Sequence, residues 1–451
     1  MLGAHLPCAK GARLRTFRPF WISTLVLGLV AWGSLASAQT DVVETNAGVQ
    51  FDFINPGARS LALGGAFLGL ADDATAALTN PAGLTFLSKR ELSIEGRARQ
   101  FVTPYVSGGR ISGTPTGTGL DLTPDLQTSD SRQSANSVSF LSFVYPTARW
   151  AIAAYRQQVA NFRASEEGQG VFITSARFPP YQGAMSLDIV RYGIAGAAKL
   201  GDKASVGVGV NVYDFGITAE TRRYNTSTPF GPSDFSSLFN RQTETGAGTK
   251  LGVNIGLTAT PTARLQIGAV YRQGANFSVD VGQSGNNSPV IGKVTAGTFS
   301  IPDVYGFGIA LHPADRVRVM IDYDRVQYSV MTKGFLTLNS NPAGFPIALP
   351  TDFKIDDANE VHAGAEYVFL NLARPIAIRG GAWYDPDHAL RFEPDTPSPG
   401  PRFDSIFFRK GKDVVHVTGG AGISLRGLEI NLAGDYSARG SIFSISSVAR
   451  F

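Results

Sequence analysis

Cysteine is nearly missing from this 451-residue sequence, in which Cys8 is the single example. Cys8 precedes an apolar run from Trp21 to Leu35 that closes with Ala36-Ser37-Ala38, a pattern typical of a cleaved signal peptide. Cleavage after residue 38 removes the thiol, so disulfides and cysteine metal sites are excluded from the mature chain. Cys8 also lies ahead of the apolar run, where a lipidated cysteine would not be found.

Long hydrophobic runs are also missing. After Leu35 the chain has no apolar stretch of the roughly 18 residues that a transmembrane helix requires. The signal run is itself only about 15 residues long, which favours removal over retention as an anchor. A helical membrane protein is therefore excluded, and the mature chain is expected to be either soluble or a β-barrel.

Excess charge disappears with the signal peptide. The formal net charge of +4 equals the contribution of Lys10, Arg13, Arg15 and Arg18, and residues 1–38 contain no acidic side chain. The mature chain is formally neutral, so the basic pI gives no support for a nucleic-acid partner. No metal or cofactor is implied.

Glycine, by contrast, is abundant, with 51 residues, and suits a curved sheet. From about Arg90 the chain alternates between apolar and polar residues, as in Leu428 to Ser437, where every second side chain is Leu, Ile, Gly or Tyr. Such segments, about 9–11 residues long, are typical of strands that cross an outer membrane with one face in lipid and one polar.

Fourteen strands are predicted, and short and long connections alternate between them, as in outer-membrane barrels. The predicted strands are 91–101, 136–146, 149–160, 186–199, 204–219, 248–259, 263–279, 301–312, 316–330, 357–370, 375–386, 412–425, 428–438 and 441–451. The predicted long outer connections are 102–135, 161–184, 220–247, 280–298, 331–355 and 387–411. The even count allows an antiparallel transmembrane barrel to close.

In the last strand, the alternation places Phe443, Ile445 and Phe451 on the same face, which we expect to contact lipid. A terminal phenylalanine on an alternating strand resembles the signal by which the barrel assembly machinery recognises its substrates. The expected partners are therefore this machinery and the lipid of the bacterial outer membrane.

Residues 39–89 do not alternate and are rich in small side chains. Asp72 is expected to cap a short helix over 74–78 with Asp73 in its first turn, and Asn80-Pro81 is expected to end it. Small side chains allow such a segment to pack inside a barrel. The predicted organisation is a signal peptide (1–38), a hatch or plug (39–89) and the barrel (90–451).

These residues resemble the FadL/TodX family of outer-membrane transporters. The resemblance rests on Gly64-Gly65-Ala66-Phe67, Ala71-Asp72-Asp73-Ala74-Thr75 and Asn80-Pro81-Ala82, together with the strand count and the terminal phenylalanine. It implies passive diffusion of hydrophobic small molecules such as long-chain fatty acids through a barrel whose hatch includes Asp72, Asp73, Asn80, Pro81 and Ala82. It also implies a kink in the third strand as a lateral exit, but residues 150–160 contain neither glycine nor proline, so no kink is expected there.

Two other classes of function compete with transport. Similar N-terminal motifs occur in PorV-type barrels, which serve secretion or surface attachment, and the proline-rich loop 387–411 offers a surface for such a partner. Catalysis would need a nucleophile beside a base. The available histidines, His312, His362, His388 and His416, have no recognisable nucleophile motif nearby, so the chain is not expected to be an enzyme.

Apolar residues in the outer loop 220–247 are candidates for a ligand docking site. They are Phe230, followed by Phe235, Leu238 and Phe239 at the spacing of one helical face. The alternative is that they pack the loop onto the barrel rim. Inside the barrel, parity places Arg318, His362, Glu366, Arg379 and Glu429 in the lumen, where opposite charges pair with one another or an arginine meets a ligand carboxylate.

Overall fold

The computed structural model describes residues 49, 51, 53–111, 125–173, 176–226, 233–285, 288–333, 350–395 and 404–451. The predicted signal peptide lies outside these residues. Within them, every helix is too short or too polar to span a bilayer.

The described residues form a closed antiparallel barrel of fourteen strands. In chain order the strands are β1 (Glu91–Ile111), β2 (Leu126–Pro146), β3 (Trp150–Gly168), β4 (Tyr181–Lys199), β5 (Ala204–Tyr224), β6 (Leu238–Thr262), β7 (Leu265–Arg272 and Asn276–Gly285), β8 (Ser288–Ser300 and Val304–Ala314), β9 (Val317–Val326), β10 (Ala358–Phe369), β11 (Ile376–Asp385), β12 (Val414–Leu425), β13 (Leu428–Ser437) and β14 (Gly440–Arg450). The barrel closes where β1 pairs with β14, with Glu91 opposite Arg450. The predicted fold class is confirmed.

Strands β7 and β8 are interrupted at the same height, at 273–275 and 301–303. The carboxylate of Asp303 accepts a hydrogen bond of 2.7 Å from the backbone N–H of Gly274. A Cβ at Gly274 would lie 1.9 Å from the carbonyl oxygen of Ile301, so only glycine allows the two strands to approach this closely.

Several predicted outer loops are largely strand. The predicted loop 102–135 contains the end of β1, which continues to Ile111, and the start of β2 at Leu126. The end of β1 mixes apolar and polar side chains and the start of β2 is mainly polar, so neither shows a clear apolar/polar alternation. The hydrogen bonds between paired strands join backbone atoms, so they form regardless of which side chains the strands carry.

Along the lower part of the barrel, the residues that face the lumen and those that face outward alternate as predicted. Tyr436 is 74 % exposed on the outer face of β13, whereas Asn431 and Asp435 are buried on the inner face. Phe443 and Ile445 on β14 also face outward, and the terminal Phe451 is exposed.

The N-terminal segment, here residues 53–89, lies within the lumen. It forms two short helices, α1 (Ala58–Ala62) and α2 (Ala76–Thr79), and a 3-10 helix (Pro81–Phe86), and their side chains are almost all buried. The predicted cap is wrong, because α2 begins at Ala76 without a side-chain cap, and the backbone N–H of Thr75 is donated to Asp73, at 2.9 Å, and not to Asp72.

Short elements occupy the outer connections. They are the 3-10 helices Tyr328–Thr332 and Pro350–Asp352, helix α3 (Asp404–Phe407), and the strand pairs Phe172–Ile173 with Ala176–Arg177 and Phe353–Lys354 with Arg391–Phe392.

Candidate functional site

Ion pairs join the N-terminal segment to the barrel wall. Arg59 of α1 reaches Asp72 at 2.6 Å and Glu366 of β10 at 3.3 Å. Arg379 of β11 donates to the same Glu366 at 2.6 Å, and Arg318 of β9 pairs with it as well. Three guanidinium groups therefore converge on one buried carboxylate, so opposite charges pair here as one of the two sequence-based alternatives predicted.

Hydrogen bonds from the wall also hold the backbone of the segment. Asp322 of β9 accepts the N–H groups of Phe67 and Leu68 at 2.6 and 2.7 Å. The Asn80 side chain donates to the carbonyl of Leu257 in β6 at 3.0 Å and accepts from the N–H of Ala82 at 3.2 Å.

Glycines in the wall make these approaches possible. A Cβ at Gly207 of β5 would lie 2.4 Å from the backbone of Pro81 and Ala82, and one at Gly268 of β7 would lie 2.1 Å from the Leu68 carbonyl oxygen. The predicted hatch residues Asp72, Asp73, Asn80, Pro81 and Ala82 all lie inside the barrel.

Above the N-terminal segment, the inner face of one side of the barrel is apolar. We call this surface the chamber. Its buried side chains are Phe101, Val159, Ala160, Phe162, Ala164, Met185, Leu187, Ile189, Tyr213, Phe215, Ile217, Ala219, Ala275, Phe277, Val279, Val281, Phe299 and Ile301. Phe51 and Phe53, at the start of the described N-terminal residues, pack against the chamber, with 6.1 Å between the ring centroids of Phe51 and Phe299.

Sequence reasoning missed the chamber, although a signal was present. In the upper part of β4, Met185, Leu187 and Ile189 face inward and alternate with the outward Ser186 and Asp188. The apolar face thus changes from outside to inside along the strand. Above the lipid, outward residues meet water, so an apolar inner face marks an apolar cluster inside the barrel and not a bilayer contact.

The barrel wall is broken between β2 and β3. In the described chain, their ladder runs from Pro146 opposite Ala151 to Phe140 opposite Gln157 and is not continued above that pair. At this height β3 carries a bulge, because Gln158 and Ala160 oppose consecutive residues of β4. The expectation that the third strand is regular is therefore wrong. A bulge needs one extra residue and no glycine or proline.

A small cavity, of about 20 Å³, lies at this break. It is lined by Phe101 of β1, Ala135 and Ser139 of β2, and Gln158 and Ala160 of β3, among others. Because Phe101 and Ala160 also belong to the chamber, the apolar surface of the lumen extends to the break in the wall.

The predicted docking face is not helical. Phe230 lies outside the described residues, Phe235 is in a turn, and Leu238 and Phe239 begin β6. The pairing with β5 skips Phe239, so Leu238 and Phe239 lie at a bulge of an extended strand and the helical spacing does not apply. Phe235 packs edge-on against Tyr224, with 5.1 Å between centroids, as the loop-packing alternative predicts.

Of the four histidines considered as catalytic bases, His312 lies apart, whereas the other three lie around Trp383 and Asp385. His312 lies at the periplasmic end of β8, His388 follows β11 in an outer connection, and His362 and His416 are buried on the inner face. The Nδ1 atom of His362 contacts the Gly64 carbonyl at 2.6 Å, so this ring contributes to holding the N-terminal segment.

A closed outer-membrane barrel with an internal N-terminal segment, an apolar chamber and a broken wall defines a class of transport barrel. The chain belongs to the family of outer membrane protein transport proteins (OMPP1/FadL/TodX), which matches residues 42–391. Membership of this family places the protein in the outer membrane. The match does not favour the PorV-type alternative. No curated protein matches the sequence.

Solved structures share the fold. A Pseudomonas aeruginosa FadL homologue is 15% identical, with a TM-score of 0.61 over 90% of this chain and 99% of its own. The P. putida toluene transporter TodX is 14% identical, with a TM-score of 0.55 over 89% of this chain and 99% of its own. The Ralstonia pickettii toluene transporter TbuX is 17% identical, with a TM-score of 0.54 over the same shares.

Proposed function

We propose that the barrel conducts hydrophobic small molecules passively from the outer surface into the chamber and out through the break between β2 and β3. The observation that carries the proposal is the continuity of apolar surface from chamber to break. The rings of Phe101 and Phe162 meet edge-on at 5.2 Å, and Ala160 lines both spaces. A molecule on this path keeps contact with apolar side chains as far as the break, where Arg97, Arg99 and Gln158 also line the opening.

The cargo we propose has an apolar body, either the acyl chain of a long-chain fatty acid or the ring of a monoaromatic compound. Burial of such a body against Phe215, Phe277 and Phe299 stabilises it by about 25 cal/mol per Å². Relatives of the same fold are described as toluene transporters, which supports the inclusion of aromatic compounds in the test.

The N-terminal segment is proposed to act as the hatch. Its attachments at Glu366, Asp322 and Asn80 hold it across the lower lumen, so polar solutes gain no free aqueous path to the periplasm. In this arrangement the lateral break, and not the lower lumen, is the exit. Phe443, Ile445 and Phe451 remain proposed as the assembly signal on the last strand.

Deletion of Val159 tests the proposed exit. The bulge adds one residue, so its removal restores a regular alternation in β3 and extends the pairing toward β2. We expect the deletion to reduce uptake of radiolabelled toluene and oleate at least tenfold in a strain that lacks the native protein. The control Val159→Ala keeps the residue count and should retain most of the uptake.

A loss of uptake is informative only if the variant folds, so the folding of each variant is first checked by its heat-modifiable mobility on gels. Uptake that is unaffected by deletion of Val159 would reject the exit through the wall. Equal loss in the deletion and in Val159→Ala would show that the side chain, and not the bulge, matters.

A further inference from the structure

A second cavity, of about 60 Å³, lies near the outer end of the lumen. One side is apolar and includes Phe51, Phe53 and Ile54, two of which also pack against the chamber. The other side is polar and includes Asp385 of β11 and His416 of β12. An amphipathic ligand that enters the chamber would meet this polar wall.

The polar wall is organised around Asp435 of β13. One of its carboxylate oxygens accepts the indole N–H of Trp383 at 3.0 Å, and the other contacts Nδ1 of His416 at 2.7 Å. The rings of Trp383 and His416 stack with 3.8 Å between centroids. Because a carboxylate can only accept, Nδ1 of His416 carries a proton, and in this tautomer Nε2 is an acceptor.

Two buried acceptors in this wall lack a donor. In the part of the chain that the structure describes, His416 Nε2 and Asp385 Oδ1 have no hydrogen-bond partner. The nearest carboxylate oxygen to His416 Nε2 belongs to Asp385, at 3.9 Å. His388 Nδ1 lies 3.3 Å from Asp385 Oδ1, but this nitrogen contacts the Pro386 carbonyl at 3.0 Å. A buried acceptor without a donor is unfavourable, so the site favours a ligand that donates.

The surrounding charges disfavour a carboxylate in this position. Glu360, Asp385 and Asp435 line the cavity, together with the cations of Arg99 and Arg439. Arg439 already pairs with Asp385 at 2.7 Å, and the guanidinium of Arg99 lies 5.5 Å from the ring of Phe101. A ligand anion would therefore be repelled by the three acidic groups.

Two other ligand classes fit less well. An ammonium ion would have to lose its water on the way through the apolar chamber, which is far more unfavourable than the transfer of a neutral group. A pure hydrocarbon crosses the chamber easily but leaves both acceptors unpaired. A neutral hydroxyl group meets both conditions, since its desolvation is modest and it supplies a donor.

We propose that this cavity binds the hydroxyl group of a neutral amphipathic ligand, a phenol or an alcohol, with the O–H donated to His416 Nε2 or Asp385 and the apolar body against Phe51 and Phe53. The inference rests on the proposed transport of hydrophobic compounds and specifies their class. It separates the preferred ligand from both fatty acids and plain aromatic hydrocarbons.

Three probes of equal ring size test the proposal at neutral pH. They are p-cresol, which carries a hydroxyl, toluene, which carries none, and 4-methylbenzoate, which is an anion. Equilibrium binding to the purified full-length protein is expected to be about fivefold tighter for p-cresol than for toluene, as one net hydrogen bond provides. Binding of 4-methylbenzoate is expected to be weaker than that of either.

A substitution at His416 tests whether the preference for p-cresol over toluene arises in this cavity. His416→Phe keeps an aromatic ring against Trp383 and removes the acceptor, so the ratio of p-cresol to toluene affinity should fall toward one. His312→Phe, at the periplasmic end of β8, makes the same change far from the cavity and should keep the ratio.

The possible outcomes separate the two proposals. If p-cresol, toluene and 4-methylbenzoate bind the wild-type protein equally, the hydroxyl site is rejected and transport of hydrophobic compounds stands. If none of the three binds, both proposals fail. The comparison of probes on the wild-type protein holds even if His416→Phe does not fold.

Discussion

The carboxylate of Asp322, on wall strand β9, accepts a hydrogen bond of 2.6 Å from the backbone N–H of Phe67 in the N-terminal segment. The same oxygen accepts the N–H of Leu68 at 2.7 Å. One wall side chain thus satisfies two consecutive buried donors of the segment, which neither helix nor sheet satisfies. This contact ties the position of the hatch to the register of the barrel.

Replacement of Asp322 by alanine should loosen the hatch. Each buried N–H left without an acceptor costs about 1–3 kcal/mol, and two are affected. We expect faster swelling of proteoliposomes in a small neutral sugar, because the lower lumen then opens more often. Asp322→Asn keeps an acceptor oxygen and should swell less than Asp322→Ala; identical swelling of both variants and the wild type would refute this role.

Glu366→Gln should strongly destabilise the folded barrel. The substitution leaves Arg59, Arg318 and Arg379 without their common carboxylate, and loss of one partner of a buried ion pair costs roughly 3–5 kcal/mol. Unfolding in urea from lipid vesicles measures the effect. Asp130→Asn removes the partner of Arg132 in an exposed pair of 2.9 Å, and it should cost less than about 1 kcal/mol. Comparable losses in the two variants would contradict this account.

Gly268→Ala should prevent the hatch from seating. The added Cβ would lie 2.1 Å from the Leu68 carbonyl oxygen, so backbone must shift on one side, at about 1–3 kcal/mol. Gly216→Ala is the matched control, since no atom lies within 4 Å of its Cβ position. Protease cleavage within residues 53–89 of the folded protein should rise for Gly268→Ala alone. An equal rise in both variants would point to a general effect of glycine loss.

Phe451→Ala should lower the yield of assembled barrel in cells. The ring is exposed on the outer surface at the chain end and stacks near Phe143, with 6.4 Å between centroids. The control Phe307→Ala removes an equally outward ring from β8, away from the terminus. The fraction of heat-modifiable protein in outer-membrane extracts is the measurement, and equal yields for the two variants would argue against a terminal signal.

The barrel itself was predictable because its pattern is local. Residues 428–437 alternate in a way that reflects a lipid face and an inner face, and the same reasoning placed Phe443 and Ile445 outside. The docking face failed because Phe235, Leu238 and Phe239 fit a helical spacing in sequence, yet pairing with β5 makes a strand of the last two. Short apolar runs are ambiguous between the two periodicities.

The bulge and the helix cap show a different limit. Nothing in the sequence near Val159 marks a bulge, because a bulge is a mismatch between neighbouring strands and depends on how β3 and β4 are aligned. Asp72 and Asp73 are equivalent as capping residues in sequence. Arg59, thirteen positions from Asp72, contacts Asp72 at 2.6 Å and Asp73 at 3.5 Å, and Asp73 also accepts the N–H of Thr75.

The sequence by itself determined the class of the protein, because period-two alternation, the absence of long apolar helices and the small-residue segment follow from local chemistry and the requirements of a bilayer. Only the tertiary structure decided where the wall opens, which side chains form the chamber and that His416 and Asp385 share one cavity. These features bring together residues far apart in the chain, and their positions depend on strand register, which no single segment encodes.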